Sequence, residues 1–238
     1  MSSSRYGNFL TMVLVILIVA VIGILGFFVY SQVNSGAINN NAQSAIDEFE
    51  KSTKIVSRKN TDDEETTEEG QEDEESLSDK LKEQYGSTSE RNRTKKEAEK
   101  TYMEGYEVKG VIEIPKTKVH YPVLSTVTKR SLEIAVGIAY GPGLNEVGNT
   151  IIYGHNYRNG LFFSDNKKLA KDDKVYITDQ YGEKVTYKIY NIYETTPNDA
   201  SYMERDTEGR REISLQTCTD DSSGRIIIWA AEDGSMNN

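Results

Sequence analysis

The sequence predicts a mainly β domain, a closed or nearly closed barrel of short strands, set behind a membrane-spanning helix and a polar spacer. Three observations carry that expectation. Residues 9–30, FLTMVLVILIVAVIGILGFFVY, contain no charge. Residues 61–75 hold ten acids and neither Lys nor Arg. From residue 106 onward, short apolar runs rich in Val, Ile and Tyr are separated by Gly, Pro, Asn and Asp turns, the texture of a small all-β fold.

At about 1.5 Å rise per residue the first run spans roughly 33 Å as a helix, enough to cross the hydrocarbon core of a bilayer. A cleaved signal peptide has an apolar region of about 7–15 residues, so residues 9–30 are expected to be an uncleaved anchor. Arg5 is the only basic residue before it, and residues 31–50 contain none. This bias puts residues 1–8 in the cytosol and the rest outside the membrane. Residues 31–77, rich in Asn, Ser, Thr and acids, read as an acidic flexible linker that cannot bury a core. Residues 78–105, rich in Lys, Glu and Gln, read as a helical lead-in of one or two exposed helices.

Residues 106–238 form the folded domain. Strands are expected at 108–114 and 119–124 around the Pro115-Lys116 turn, at 150–153, and at 174–178 and 184–194 around Tyr181-Gly182. The alternation of Val185, Tyr187 and Ile189 shifts phase before Ile192, which allows a bulge. Strands at 212–217 and 225–231 complete the set; the last, RIIIWAA, is apolar on both faces and so central in its sheet. Short helices are expected at 131–136 and 162–169, with a Gly-Pro-Gly loop at 141–143 between them.

The formal charge is −10, from 28 basic and 38 acidic residues. Setting aside the ten acids of residues 61–75 leaves the charges balanced, so no basic field remains to hold nucleic acid. One cysteine, Cys218, rules out an internal disulfide and a cysteine-only zinc site. Two histidines, His120 and His155, complete the short inventory. There is no GxSxG elbow and no phosphate-binding glycine loop.

Cys218 ends one strand and Arg225 begins the next across the turn DDSSG, so a hairpin brings a thiol beside a guanidinium. Positive charge there favours a thiolate or a developing oxyanion. The competing reading is a small buried cysteine with no chemistry. His155 follows an apolar strand and a glycine in IIYGHN, at a strand end where loops carry reactive groups. His120, within VHYPV, alternates away from Val119, Tyr121 and Val123 and reads as an ordinary strand residue. Cysteine, histidine and arginine together form the minimal set for acyl transfer. The alternative is a non-catalytic anchored β-barrel that binds a wall polymer or a protein partner.

Four segments resemble the sortases, membrane-anchored cysteine transpeptidases of Gram-positive cell surfaces: GVIEIP at 110–115, GNTIIYGHN at 148–156, ISLQTCT at 213–219 and RIIIWA from Arg225. The likeness covers about residues 106–231. It implies an eight-stranded sortase-type barrel with Cys218, His155 and Arg225 in the catalytic positions, and Thr217 helping to position substrate or oxyanion. YGHNYRNGLFF resembles class B, whereas the short connection 195–212 resembles classes A or D. The implied activity is cleavage of a C-terminal LPxTG-like sorting signal on secreted proteins and transfer to a cell-wall peptide amine. No cofactor or metal is required by this reading. The absence of a second span and of a DPW-type lid favours protein anchoring over pilus assembly.

Overall fold

The computed structural model describes residues 3–64 and 99–234. The chain divides into two units, Met1–Asn41 and Ala42–Asn238. Helix α1, Ser3–Glu64, begins in the first unit. There its apolar side chains, Phe9, Leu17 and Phe27 among them, are exposed. Among the described residues, this is the one helix long and apolar enough to cross a membrane.

The helix continues through residues 31–64, where the composition had indicated an extended spacer. No proline precedes Pro115, so nothing removes a backbone donor from that stretch. In the second unit Ala42, Ala45, Ile46 and Phe49 are buried, and this i, i+3, i+4, i+7 spacing is one face of a helix. Polar neighbours such as Asn41, Gln43 and Asp47 hide that stripe in the composition. The rest of the spacer, and residues 78–98 of the expected lead-in, lie outside the described residues.

Nine strands follow: β1 (Tyr102–Met103), β2 (Tyr106–Ile114), β3 (Val119–Leu124), β4 (Val136–Tyr140), β5 (Gly148–Tyr153), β6 (Lys174–Asp179), β7 (Lys184–Thr195), β8 (Arg211–Cys218) and β9 (Arg225–Glu232). Their order is β1-β2-β3-β4-β5-β8-β9-β7-β6, and a further β2–β6 pairing closes β2 to β9 into an eight-stranded barrel. β1 is a short addition to the edge of β2. Closure removes the unpaired edges that an open sheet would expose. The interior is built from side chains such as Ile112, Val123, Ile152, Ile177, Leu215 and Ile228, all fully buried.

Strand β4 was missed by the sequence reading. Its VGIAY is short and carries Gly and Ala, weak strand formers. It pairs parallel with β3, through a crossover made by helix α2, Lys129–Ile134. That helix starts two residues earlier than expected because Thr128 and Ser131 form a reciprocal cap, in which each side chain takes the other's amide. The helix expected at 162–169 is a set of turns with one short 3-10 turn at Asn166–Lys168. Phe162 sits at φ +52°, which no helix permits. Residues 99–105, the described end of the expected helical lead-in, are not helical: Tyr102–Met103 is strand β1, paired with the start of β2. β9 lies between β8 and β7, and the β7–β9 register slips between Ile189 and Asn191, where the phase shift allowed a bulge.

Candidate active site

Three neighbouring strands meet at one end of the barrel. β5 and β8 run parallel, with Tyr153 opposite Gln216, and β9 returns antiparallel with Cys218 and Arg225 as register partners. The C-terminal ends of β5 and β8 and the start of β9 are therefore side by side. Cys218 is a half-buried free thiol. The turn between it and Arg225 is organised by side chains: Thr219 Oγ1 donates to Asp221 Oδ1 at 2.6 Å and accepts from the Gly224 amide at 2.9 Å, and Ser223 Oγ donates to Asp221 Oδ2 at 2.7 Å. The Thr219 and Ser223 hydroxyls hold the Asp221 carboxyl down at about 2, so the turn keeps its charge across the neutral range.

His155 reaches this end through Gly154, whose amide donates to Gln216 O at 3.1 Å, continuing the β5–β8 ladder by one residue. The next residue, Asn156, donates its side-chain amide to Cys218 O at 3.0 Å and to Asp220 Oδ1 at 2.9 Å. Lys167 forms an ion pair with the same Asp220. The loop then folds back: Phe163 N donates to His155 O at 3.1 Å, and Leu161, Phe162 and Phe163 are buried beneath it. Three of the predicted residues, Cys218, His155 and Arg225, are thus carried on segments joined to one another. Arg225 bonds through Nη1 only to the carbonyl before it, Gly224 O at 2.9 Å, among the hydrogen bonds described.

Thr217 differs. Side chains alternate along a strand, so its hydroxyl faces away from Cys218, and Oγ1 is buried without a hydrogen bond. His120 lies in β3 opposite Glu113, on the side away from buried Val119, Tyr121 and Val123.

Gly154 is buried, and a Cβ there would stand 2.6 Å from Phe163 Cδ2 and 2.9 Å from Val136 Cγ1. Gly154→Ala is expected to destabilise the barrel by about 1–3 kcal/mol through overpacking, read by urea unfolding, and to displace the histidine loop. An unchanged unfolding midpoint would mean that Phe163 moves aside freely.

Burial lowers the pKa of His155, and the carboxylate of Glu133 on α2 opposes that shift in part. An NMR titration of His155 in a Cys218→Ala protein should give a midpoint below the ordinary 6.5. With the folded pKa lowered, the unfolded chain binds more protons in the window just below 6.5. Stability therefore rises as pH increases through that window and is lost as pH falls through it. A midpoint above 6.5 would show that Glu133 outweighs burial.

The same outer face continues away from the site. Connection 196–210 crosses it, with Tyr202 buried against Ile151 and Ile227. The Tyr202 hydroxyl is 2.9 Å from that of Tyr153 and bonds Gln216 Oε1. Asn149 Nδ2 donates to Tyr202 O at 3.0 Å and to Met203 O at 3.2 Å. Arg205 lies 4.3 Å from the Trp229 ring centroid and pairs with the buried Glu212. A cleft of about 880 Å³ opens beside the connection, bounded by Ile138, Tyr140, Asn149, Met203 and Arg205. It is not lined by Cys218, His155 or Arg225 and starts at the far end of β5 from His155. Asn156, within the GHN triplet, and Tyr202 and Arg205 carry no role in the sequence expectations; the bonds of Asn156 to Cys218 and of Tyr202 and Arg205 to β5 join residues distant in sequence.

The fold and site define a small closed β-barrel with a half-buried free thiol in register with an arginine, and comparison with known proteins supplies the family. Residues 112–233, just over half of the chain, match the family profile described as Sortase domain. The chain belongs to the sortase family. It is 32% identical to Sortase A of Bacillus anthracis over 125 residues, covering 51% of this chain and 58% of that one. It is 28% identical to Sortase A of Streptococcus agalactiae over 128 residues, covering 51% of each. The chain thus spans about half the length of the curated relatives it matches. A solved structure of the Clostridium perfringens Sortase D5 transpeptidase is 24% identical with a TM-score of 0.49, covering 66% of this chain and 95% of that one.

Proposed function

We propose that the protein is a membrane-anchored cysteine transpeptidase that cleaves a C-terminal, LPxTG-like sorting signal and transfers the released carboxyl group to a cell-wall amine. The observation that carries this reading is the register pairing of Cys218 with Arg225, beside a histidine loop whose Asn156 bonds the Cys218 carbonyl. Membership of the sortase family supports it. The apolar start of α1 supports anchoring, with the N-terminus cytosolic and the barrel outside.

Burial favours a neutral His155 imidazole, which suits it to accept the thiol proton. The Cys218 thiolate attacks the scissile carbonyl carbon and forms a C–S bond. Arg225 donates hydrogen bonds to the oxyanion of the tetrahedral intermediate. Collapse breaks the C–N bond, and the His155 imidazolium gives its proton to the leaving amine. An incoming amine then attacks the thioester, loses a proton to His155, and the C–S bond breaks to restore the thiol. Thr217 contributes only through the backbone it shares with Cys218.

The test is mass spectrometry of the protein mixed with a panel of sorting-signal peptides. A thioacyl adduct on Cys218 that disappears on adding an amine is the expected result. No adduct with any peptide, together with a thiol that alkylates no faster than a free cysteine, would favour a non-catalytic barrel that binds a wall polymer or protein.

A further inference from the structure

We propose that Tyr157 is a positioning residue for acyl transfer, its ring being the surface against which the His155 imidazole is set. The proposal rests on the acid–base role given to His155 above. The two rings stand 4.8 Å apart, centroid to centroid, at 37°. Tyr157 in turn meets Phe162 at 5.8 Å and 54°, and Phe162 meets Tyr121 at 5.0 Å and 54°. The last two rings are buried. A ladder of four rings therefore runs from the catalytic histidine into the barrel core at β3.

The backbone under the ladder is held in place. The Tyr157 amide donates to Ser164 Oγ at 3.1 Å, and that hydroxyl donates to Leu161 O at 2.6 Å. Asn156 and Phe162 form a one-pair antiparallel bridge on either side of the turn. Phe162 is bulky yet adopts φ +52°, a strained conformation that persists only where the surroundings enforce it. It brings the Phe162 ring to Tyr157. Tyr157 itself is 40% exposed, so core burial does not account for an aromatic residue there.

The second torsion of histidine is broad and roughly two-fold, and an imidazole at a loop end turns freely unless something packs on it. A tilted ring at this distance narrows that freedom. The face of an aromatic ring also attracts a cation, and in the proposed cycle His155 becomes an imidazolium on taking the thiol proton. The contact is therefore stronger in the state that reaction creates than in the resting state, which is the condition for it to raise kcat.

Tyr157→Leu in the full chain is expected to lower kcat by about 10–100-fold, in the range of a misplaced catalytic group, with KM little changed. Tyr157→Phe keeps the ring and should restore the rate. A second reading needs no turnover: the ring-proton resonances of His155 are shifted upfield by the neighbouring ring, so they move in Tyr157→Leu and stay in Tyr157→Phe. Tyr157→Met, apolar and unbranched but without a ring, is the fallback should the leucine variant not fold, with the same expectation. A wild-type kcat in the leucine variant, equal damage in the phenylalanine variant, or His155 resonances that do not move would each overturn the proposal. If the unaltered protein turns over no peptide, the function proposed above fails on its own, and the resonance comparison still decides whether Tyr157 sets the ring.

Discussion

Cys218→Ala is expected to form no adduct with any sorting-signal peptide, whereas Arg225→Ala should still form one, about 100–1,000-fold more slowly, the range for loss of one oxyanion donor. The difference follows from the bonds each residue makes. Cys218 supplies the only sulfur nucleophile in the chain, and alanine leaves nothing to hold the acyl group. In the proposed mechanism Arg225 supplies hydrogen bonds that grow as charge develops on the carbonyl oxygen, so its loss should slow the step without removing it. Its guanidinium is committed, among the described hydrogen bonds, to the Gly224 carbonyl alone and retains donors for substrate. Arg225→Lys should recover little, because a point charge does not reproduce the planar fork. The measurement is the rate of adduct formation by mass spectrometry; a Cys218→Ala protein that still cleaved the peptide would sink the assignment.

Glu212→Ala is expected to cost about 3–5 kcal/mol, the penalty for removing one partner of a buried ion pair. The side chain of Glu212 is 0% exposed and pairs with Arg205, itself 14% exposed. It also accepts the Tyr190 hydroxyl at 2.7 Å, and Arg210 Nη2 lies 3.0 Å from its other oxygen. Alanine would leave two guanidinium groups and a phenol facing the hole. For a domain of this size the midpoint of thermal unfolding should fall on the order of 10 °C. Because Arg205 also bonds Asn149 Oδ1 at 3.2 Å and packs on Trp229, connection 196–210 should loosen before the barrel melts, detected as early proteolysis near Tyr202. A mild loss, within the range of an exposed ion pair of about 0–1 kcal/mol, would mean that Arg205 turns out to solvent when its partner is gone.

The parts of the fold that the sequence disclosed are those whose signal is local. The hairpin at Tyr181-Gly182, the bulge before Ile192 and the apolar β9 are each written within a dozen residues. Cys218 and Arg225 were recognisable together because a short turn joins them. Strand β4 escaped because a parallel partner reached by a crossover leaves little mark in VGIAY itself. The helix expected at 162–169 after the Asn159-Gly160 turn is instead a set of turns, with Leu161, Phe162 and Phe163 buried under the histidine loop and Phe162 at positive φ. The helical stripe Ala42, Ala45, Ile46 and Phe49 was masked by the polar residues around it. Asn156 stood in plain sight, but its partner Cys218 is 62 positions away, and only the β5–β8 pairing brings them together.

That last separation sets an order of events in a folding chain. The β8–β9 hairpin closes a short loop and is expected to form early, carrying the thiol and the arginine with it. The parallel β5–β8 pairing closes a loop of dozens of residues and bears a much larger entropic cost before its contacts reward it. A newly made chain therefore brings Cys218 and Arg225 together before His155 reaches them. On the roles proposed above, acyl transfer waits for the β5–β8 pairing that seats the histidine loop beside Cys218.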